Sequence, residues 1–190
     1  MTDPTPVDPE VAAALLRSHL EGFFNHSPRV RDDDGWAYQL TDDPLVAIVH
    51  MPARAVDEGA PQIYALRLDG SHYDTWPVSI TFVEAHDGGW RRARLGSRAF
   101  PSISGSPGAP GGAAVGFQFA LHDEYVWPDQ HTDQLICFSY NLGYYTSSHG
   151  PTEDQKWRPG QDRLDATLSR IHTALCSAAY VGPSSHMEMA

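Results

Sequence analysis

The chain has 190 residues, 41% of them hydrophobic and 19% charged. That length and apolar content suit one domain with its own core, and no apolar run is long enough to cross a bilayer as a helix. The net charge of −11 argues against broad nucleic-acid binding, which needs cationic surface to displace phosphate counterions, and disfavours an anionic membrane surface.

Met1 to Glu10 is polar, acidic and proline-rich, without the basic start and apolar stretch of a secretion signal, so a cytoplasmic protein is expected. Val11, Leu15, Leu16, Leu20, Phe23 and Phe24 recur at helical spacing and predict an amphipathic helix over Val11–Phe24. Asp8 is its expected N-cap, with Pro9 at the first helical position. Pro28 and the run Asp32-Asp33-Asp34-Gly35 break the pattern.

Strands are predicted at Trp36–Leu40, Leu45–Met51, Ile63–Leu68 and Val78–Val83, joined by turns rather than helices. That spacing implies an antiparallel meander of four strands. From residue 84 to 116 the composition changes. Arg91, Arg92, Arg94 and Arg98 come first, then Gly, Pro, Ser and Ala dominate from Ser102 to Ala114. The stretch reads as a long loop insertion, with the arginines either balancing an acidic body or touching an acidic partner.

Phe117–Leu121 is a further short strand candidate. Trp127–Gly150 holds few long aliphatics and many turn formers and is expected to be mostly irregular. Gln161–Tyr180 is the clearest helix, with Leu164, Leu168, Ile171 and Leu175 stepping by four, three and four. Gly182-Pro183 stops it, and residues 184–190 are expected to form a disordered tail. The order implies one α+β domain over residues 1–190, with helices packed on an antiparallel sheet.

Several of these elements carry motifs in a meaningful order. Tyr73 and Pro77 precede the strand Val78-Ser79-Ile80-Thr81-Phe82-Val83. Trp127-Pro128-Asp129 comes next, and Ile136-Cys137-Phe138 puts Cys137 ten residues after Trp127. Trp157-Arg158-Pro159, an amphipathic helix and Gly182-Pro183 follow. From Tyr73 to Pro183 the chain resembles the catalytic core of ubiquitin-conjugating enzymes, with Cys137 where that family keeps its thioester-forming cysteine. The resemblance implies the family's α+β fold (UBC-like): an N-terminal helix, a four-stranded meander, an irregular active-site segment and a C-terminal helix.

It also implies a reaction. Cys137 would accept a ubiquitin-like modifier as a thioester from an activating (adenylating) enzyme and pass it to an amine. Sulfur suits this because a thiolate is both a good nucleophile and a good leaving group. The modifier and the activating enzyme are the implied partners. No cofactor is implied, since the activating enzyme would consume the ATP.

Three features depart from the family pattern. Trp127-Pro128-Asp129 stands for His-Pro-Asn, the insertion from Glu84 to Val126 precedes it, and the gap from Cys137 to Trp157 is longer than usual. These departures resemble bacterial relatives of the fold. Some of those act in conjugation operons tied to antiphage defence, and others have lost the cysteine's role. Asp129 occupies the family's asparagine position, but an ionised carboxylate cannot donate to an oxyanion as an amide does. It can brace the loop or accept a proton from the incoming amine. His131 and His149 are the nearest bases, and Asn141 can replace the missing amide donor.

Other readings stay open. A cysteine between Ile136 and Phe138 is also what an inert core residue looks like. The domain can then be non-catalytic, binding a protein partner or a metal through His122, His131 and His149, although the spacing matches no recognised zinc site. An unrelated hydrolase built on a Cys-His pair would need a base beside Cys137. Cys176, next to Leu175 on the last helix, reads as structural. His19 and His172 read as solvated or satisfied locally on their helices. No CxxC pair suggests a thiolate metal site.

Overall fold

A computed structural model describes residues 4–32, 35–56, 60–104, 118–148 and 152–184. The glycine- and proline-rich residues 105–117, His149 and the tail from residue 185 lie outside them. The chain is α+β, with an N-terminal helix, a five-stranded antiparallel sheet and a C-terminal helix. Among the described residues, no helix is long and apolar enough to cross a membrane.

Helix α1 (Pro9–His26) starts where expected. The Asp8 carboxylate accepts from the backbone N–H groups of Glu10, at 2.9 Å, and Val11, at 3.3 Å. Its buried stripe is Ala12, Leu16, Leu20 and Phe23, and Val11 is exposed. A short helix α2 (Pro28–Asp32) follows. Strands β1 (Ala37–Leu40), β2 (Val46–Pro52), β3 (Ile63–Asp69), β4 (Ser79–His86) and β5 (Gly89–Arg92) then form the sheet in sequential order.

The fifth strand corrects the expected four-stranded meander. Asp87 and Gly88 both take positive φ, 47° and 78°, and turn β4 tightly into β5. An Asp-Gly pair between two strands favours this primed hairpin turn because its twist matches that of the strands it joins. The first part of the expected insertion is therefore ordered sheet. Further on, β6 (Pro101–Ile103) pairs with the last strand, β9 (Tyr180–Pro183).

The segment expected to be irregular also holds regular structure. Strand β8 (Thr132–Cys137) and a short helix α3 (Leu142–Thr146) fall within Trp127–Gly150, and β8 forms a second hairpin with β7 (Ala120–Val126), which overlaps the strand expected over Phe117–Leu121. Helix α4 (Leu164–Cys176) is shorter than its periodicity implies. At its start, the buried Asp162 closes a turn by accepting from Arg158 and from the Tyr140 hydroxyl. At its end, the chain turns at Ser177 and leaves as β9.

One face of the sheet forms the main core. Val49, Leu66, Leu68, Ile80 and Phe82 meet α1 through Leu16 and Leu20, and α4 through Leu164, Leu168, Ile171 and Leu175. The arginine cluster is largely spent inside the fold. Arg91 pairs with Glu84, Arg92 with Asp133 and Arg94 with Glu124, the last at 3.6 Å. The latter two pairs tie the β5 region to the second hairpin.

Candidate functional site

Cys137 ends β8, opposite Ala120 on β7. Side chains alternate along a strand, so Ile136 and Phe138 face the main core while Leu135 and Cys137 face the other way. That second face is covered by α3. The thiol sits in a small cluster with Leu135 and Tyr144, flanked by Trp127 and Tyr145, and is only 4% exposed. Burial among apolar groups pushes the Cys137 thiol up from its ordinary value near 9 to about 11. A buried, neutral thiol is neither a ready nucleophile nor a good leaving group.

The covering is tight. A Cβ on Gly143 of α3 would lie 3.0 Å from Leu135 Cδ1 and 3.1 Å from Trp127 Cη2. Asn141 holds this helix in place. Its side-chain oxygen accepts from the Ile80 N–H at 3.0 Å and caps Gly143 N at 3.4 Å, and its Nδ2 donates to the Ile136 carbonyl at 2.6 Å.

The reason lies in β4. Strand β5 pairs only with Val83–His86, so the first half of β4 has an open edge on that side. Side-chain amides close it. Asn141 takes Ile80 N–H, and Gln134 takes Phe82 N–H at 2.6 Å while donating to Ala93 O at 3.1 Å. Leu142 N–H adds a bond to Val78 O. Buried backbone groups need such partners, and here two amide side chains supply them. The Asn141 amide is committed to this edge.

Asp129 and His131 lie elsewhere. They belong to the turn of the β7–β8 hairpin, where Trp127 N–H donates to His131 O and Gln130 takes a φ of 70°. Asp129 accepts from the His131 ring and backbone N–H, and these bonds hold its carboxyl below the usual carboxylate value. The His131 ring stacks on Trp127, with centroids 5.4 Å apart and planes 5° apart. Both are exposed. The turn closes beside the Val126–Thr132 pair, and Cys137 is at the other end of the strand. At 3.3–3.4 Å per residue, Thr132 and Cys137 are separated by about 17 Å.

Of the residues expected to act together, Cys137 and Asn141 are therefore close but buried. Asp129 and His131 form a separate exposed pair. His149 falls outside the described residues. His122 sits on β7 opposite Leu135, with its ring against Tyr125 at 5.7 Å. Among the described residues, no group of three or more His, Cys, Asp or Glu could hold a metal ion.

One cluster escaped the sequence reading. Cys176 is exposed at the end of α4, with its sulfur 3.2 Å from His172 Nε2. The spacing of four residues on a helix was a usable signal, since it puts both on one face. The Trp36 ring, which packs edge-on to His172 with centroids 5.0 Å apart, carried no such signal. No family model, curated protein or solved structure matches the chain.

Proposed function

We propose that the chain is a non-catalytic domain of the ubiquitin-conjugating-enzyme-like fold that binds a protein partner. The observation that carries this reading is the state of Cys137, whose thiol is buried, raised to about 11 and remote from the Asp129–His131 pair. Acyl transfer needs a thiolate and a base beside it, whereas the Cys137 thiol is buried and held protonated, and the Asp129–His131 pair belongs to the turn at the far end of its strand.

The fold half of the reading is supported by how the family-order residues meet. The Tyr73 hydroxyl accepts from Leu164 N–H at the start of α4, at 3.0 Å. Trp157 packs against the Tyr73 ring at 6.0 Å, and its indole N–H donates to Asp74 O at 2.7 Å. The tyrosine before the fourth strand, the tryptophan after the cysteine and the final helix thus form one joint. Under this reading, the natural partners to test are a ubiquitin-like modifier and its activating enzyme.

The second reading is a thioester carrier on Cys137, favoured by the place of that residue in the same ordered frame. It requires α3 to move away from the thiol. One experiment separates the two: incubation with the cognate activating enzyme, the modifier and ATP, alongside titration calorimetry against each protein. The proposal predicts no thiol-sensitive adduct, with binding equal for the native chain and Cys137→Ala. An adduct that disappears in Cys137→Ala would overturn it.

A further inference from the structure

A cleft of about 660 Å³ lies between α1 and α4. His19 and Gly22 line it from α1, and Arg163, Asp165 and Ser169 line it from α4. Its volume falls in the range of small-molecule sites.

Gly22 stands in the middle of the α1 wall. A glycine inside a helix costs about 0.5–1 kcal/mol relative to alanine. A positive φ or a close neighbour ordinarily accounts for one. Gly22 has neither: it sits in regular helix, and a Cβ built on it meets no side chain or neighbouring element within 4 Å. Its effect is to leave the wall of the cleft bare.

His19, one turn earlier, is fixed as a donor. Tyr73 is fully buried, its hydroxyl oxygen accepts from Leu164 N–H at 3.0 Å, and His19 Nδ1 lies 2.5 Å from that oxygen. The hydroxyl hydrogen therefore goes to Nδ1, and the ring carries its own hydrogen on Nε2. Burial, and after it the Arg163 charge, holds His19 below its ordinary value of 6.5, so the ring is neutral at pH 7.

Opposite charges complete the cleft. Arg163 and Asp165 are exposed at the start of α4, and among the described residues neither has an ion pair. Asp165 accepts from Ala166 N–H at 2.9 Å. Both charges act on His19, the guanidinium lowering its value and the carboxylate raising it, so both lie within reach of the ring. A simple anion would be opposed by Asp165 and by the net charge of −11, and a simple cation by Arg163. A ligand that carries both charges satisfies both groups.

We propose that this cleft binds a free α-amino acid. Arg163 and His19 Nε2–H receive its carboxylate, Asp165 receives its ammonium group, and the bare wall at Gly22 accommodates its body. The site depends on neither reading of Cys137.

The test presents each of the twenty standard L-amino acids to the full chain at about 10 mM and reads binding by saturation-transfer NMR. At least one should bind with a Kd below about 1 mM. Its N-acetyl derivative lacks the ammonium group and its amide lacks the carboxylate, and each should bind at least about tenfold more weakly. Arg163→Gln and Asp165→Asn, checked for folding by circular dichroism, should each weaken the parent amino acid about tenfold. Gly22→Ala should weaken it at least about tenfold while the melting temperature of the unliganded chain holds or rises, because alanine is the better helix former. No binding by any of the twenty, or a derivative that binds as well as its parent, would overturn the proposal. So would native affinity in any of the three variants. A lower melting temperature in Gly22→Ala would assign the glycine to packing and overturn its role in the cleft.

Discussion

Cys137 closes a strand and Cys176 closes a helix, and the two ends leave their thiols in opposite surroundings. Among the described residues, Cys137 packs in an apolar cluster. Leu135 and Tyr144 wall it in, Gly143 lets α3 approach closely, and Asn141 is spent on backbone groups. Around Cys176 the thiol is exposed, the His172 base lies at 3.2 Å and a cation, Arg54, covers the helix end. The position of a cysteine in a family frame says where a thiol could act. Exposure and a facing base decide whether it can.

The contrast can be broken most severely at Asn141. Asn141→Ala strips partners from three backbone groups at a 2% exposed site, so the loss should reach about 3 kcal/mol or more, read as a fall in the urea midpoint. It should also free α3 and open Cys137 to alkylation. Gly143→Ala attacks the same covering more gently. Its methyl meets Leu135 and Trp127 at 3.0 and 3.1 Å, and overpacking of this kind costs about 1–3 kcal/mol. If neither change speeds alkylation of Cys137, α3 is not what shields the thiol.

High pH sharpens the comparison from the other side. The folded-state value of Cys137 lies above its ordinary one, so the folded chain holds the proton longer than the unfolded chain does. The contribution is fully present below pH 9 and is lost as pH rises from 9 toward 11. In that window, stability of the native chain should fall more steeply than that of Cys137→Ala, by about 1.4 kcal/mol per pH unit, in paired denaturation series. The smallest effect belongs to the exposed thiol: Cys176→Ala should stay within about 0.5 kcal/mol of the native chain.

What the sequence made legible follows from how local each signal is. The α4 stripe of Leu164, Leu168, Ile171 and Leu175 is buried throughout, because four apolar residues at helical spacing leave one packing solution. The Asp8 cap is equally local. The β5 strand was missed although Asp87-Gly88 announced its hairpin, because the arginines and glycines after it read as loop. Strand β8 was hidden because its value is positional: Gln134 looks like a surface residue until the open edge of β4 gives its amide three buried backbone partners.

The site was legible only in part for the same reason. Cys137, Asn141, Asp129 and His131 are neighbours in sequence, yet an extended strand carries the last two far from the first. Burial of Cys137 depends on α3 folding back over the hairpin, which no local pattern encodes. The Cys176–His172 pair was local and visible, but it lay on the final helix, away from the position where the family keeps its cysteine.

Which thiol the native fold presents decides whether Cys137 can act. Brief alkylation of the native chain with iodoacetamide, with the modified peptides read by mass spectrometry, measures this directly. The expected result is rapid modification of Cys176, with Cys137 untouched until denaturant unfolds the chain. Alkylation of Cys137 in the native state at a rate comparable to Cys176 would contradict the account and return Cys137 to the role its position suggests.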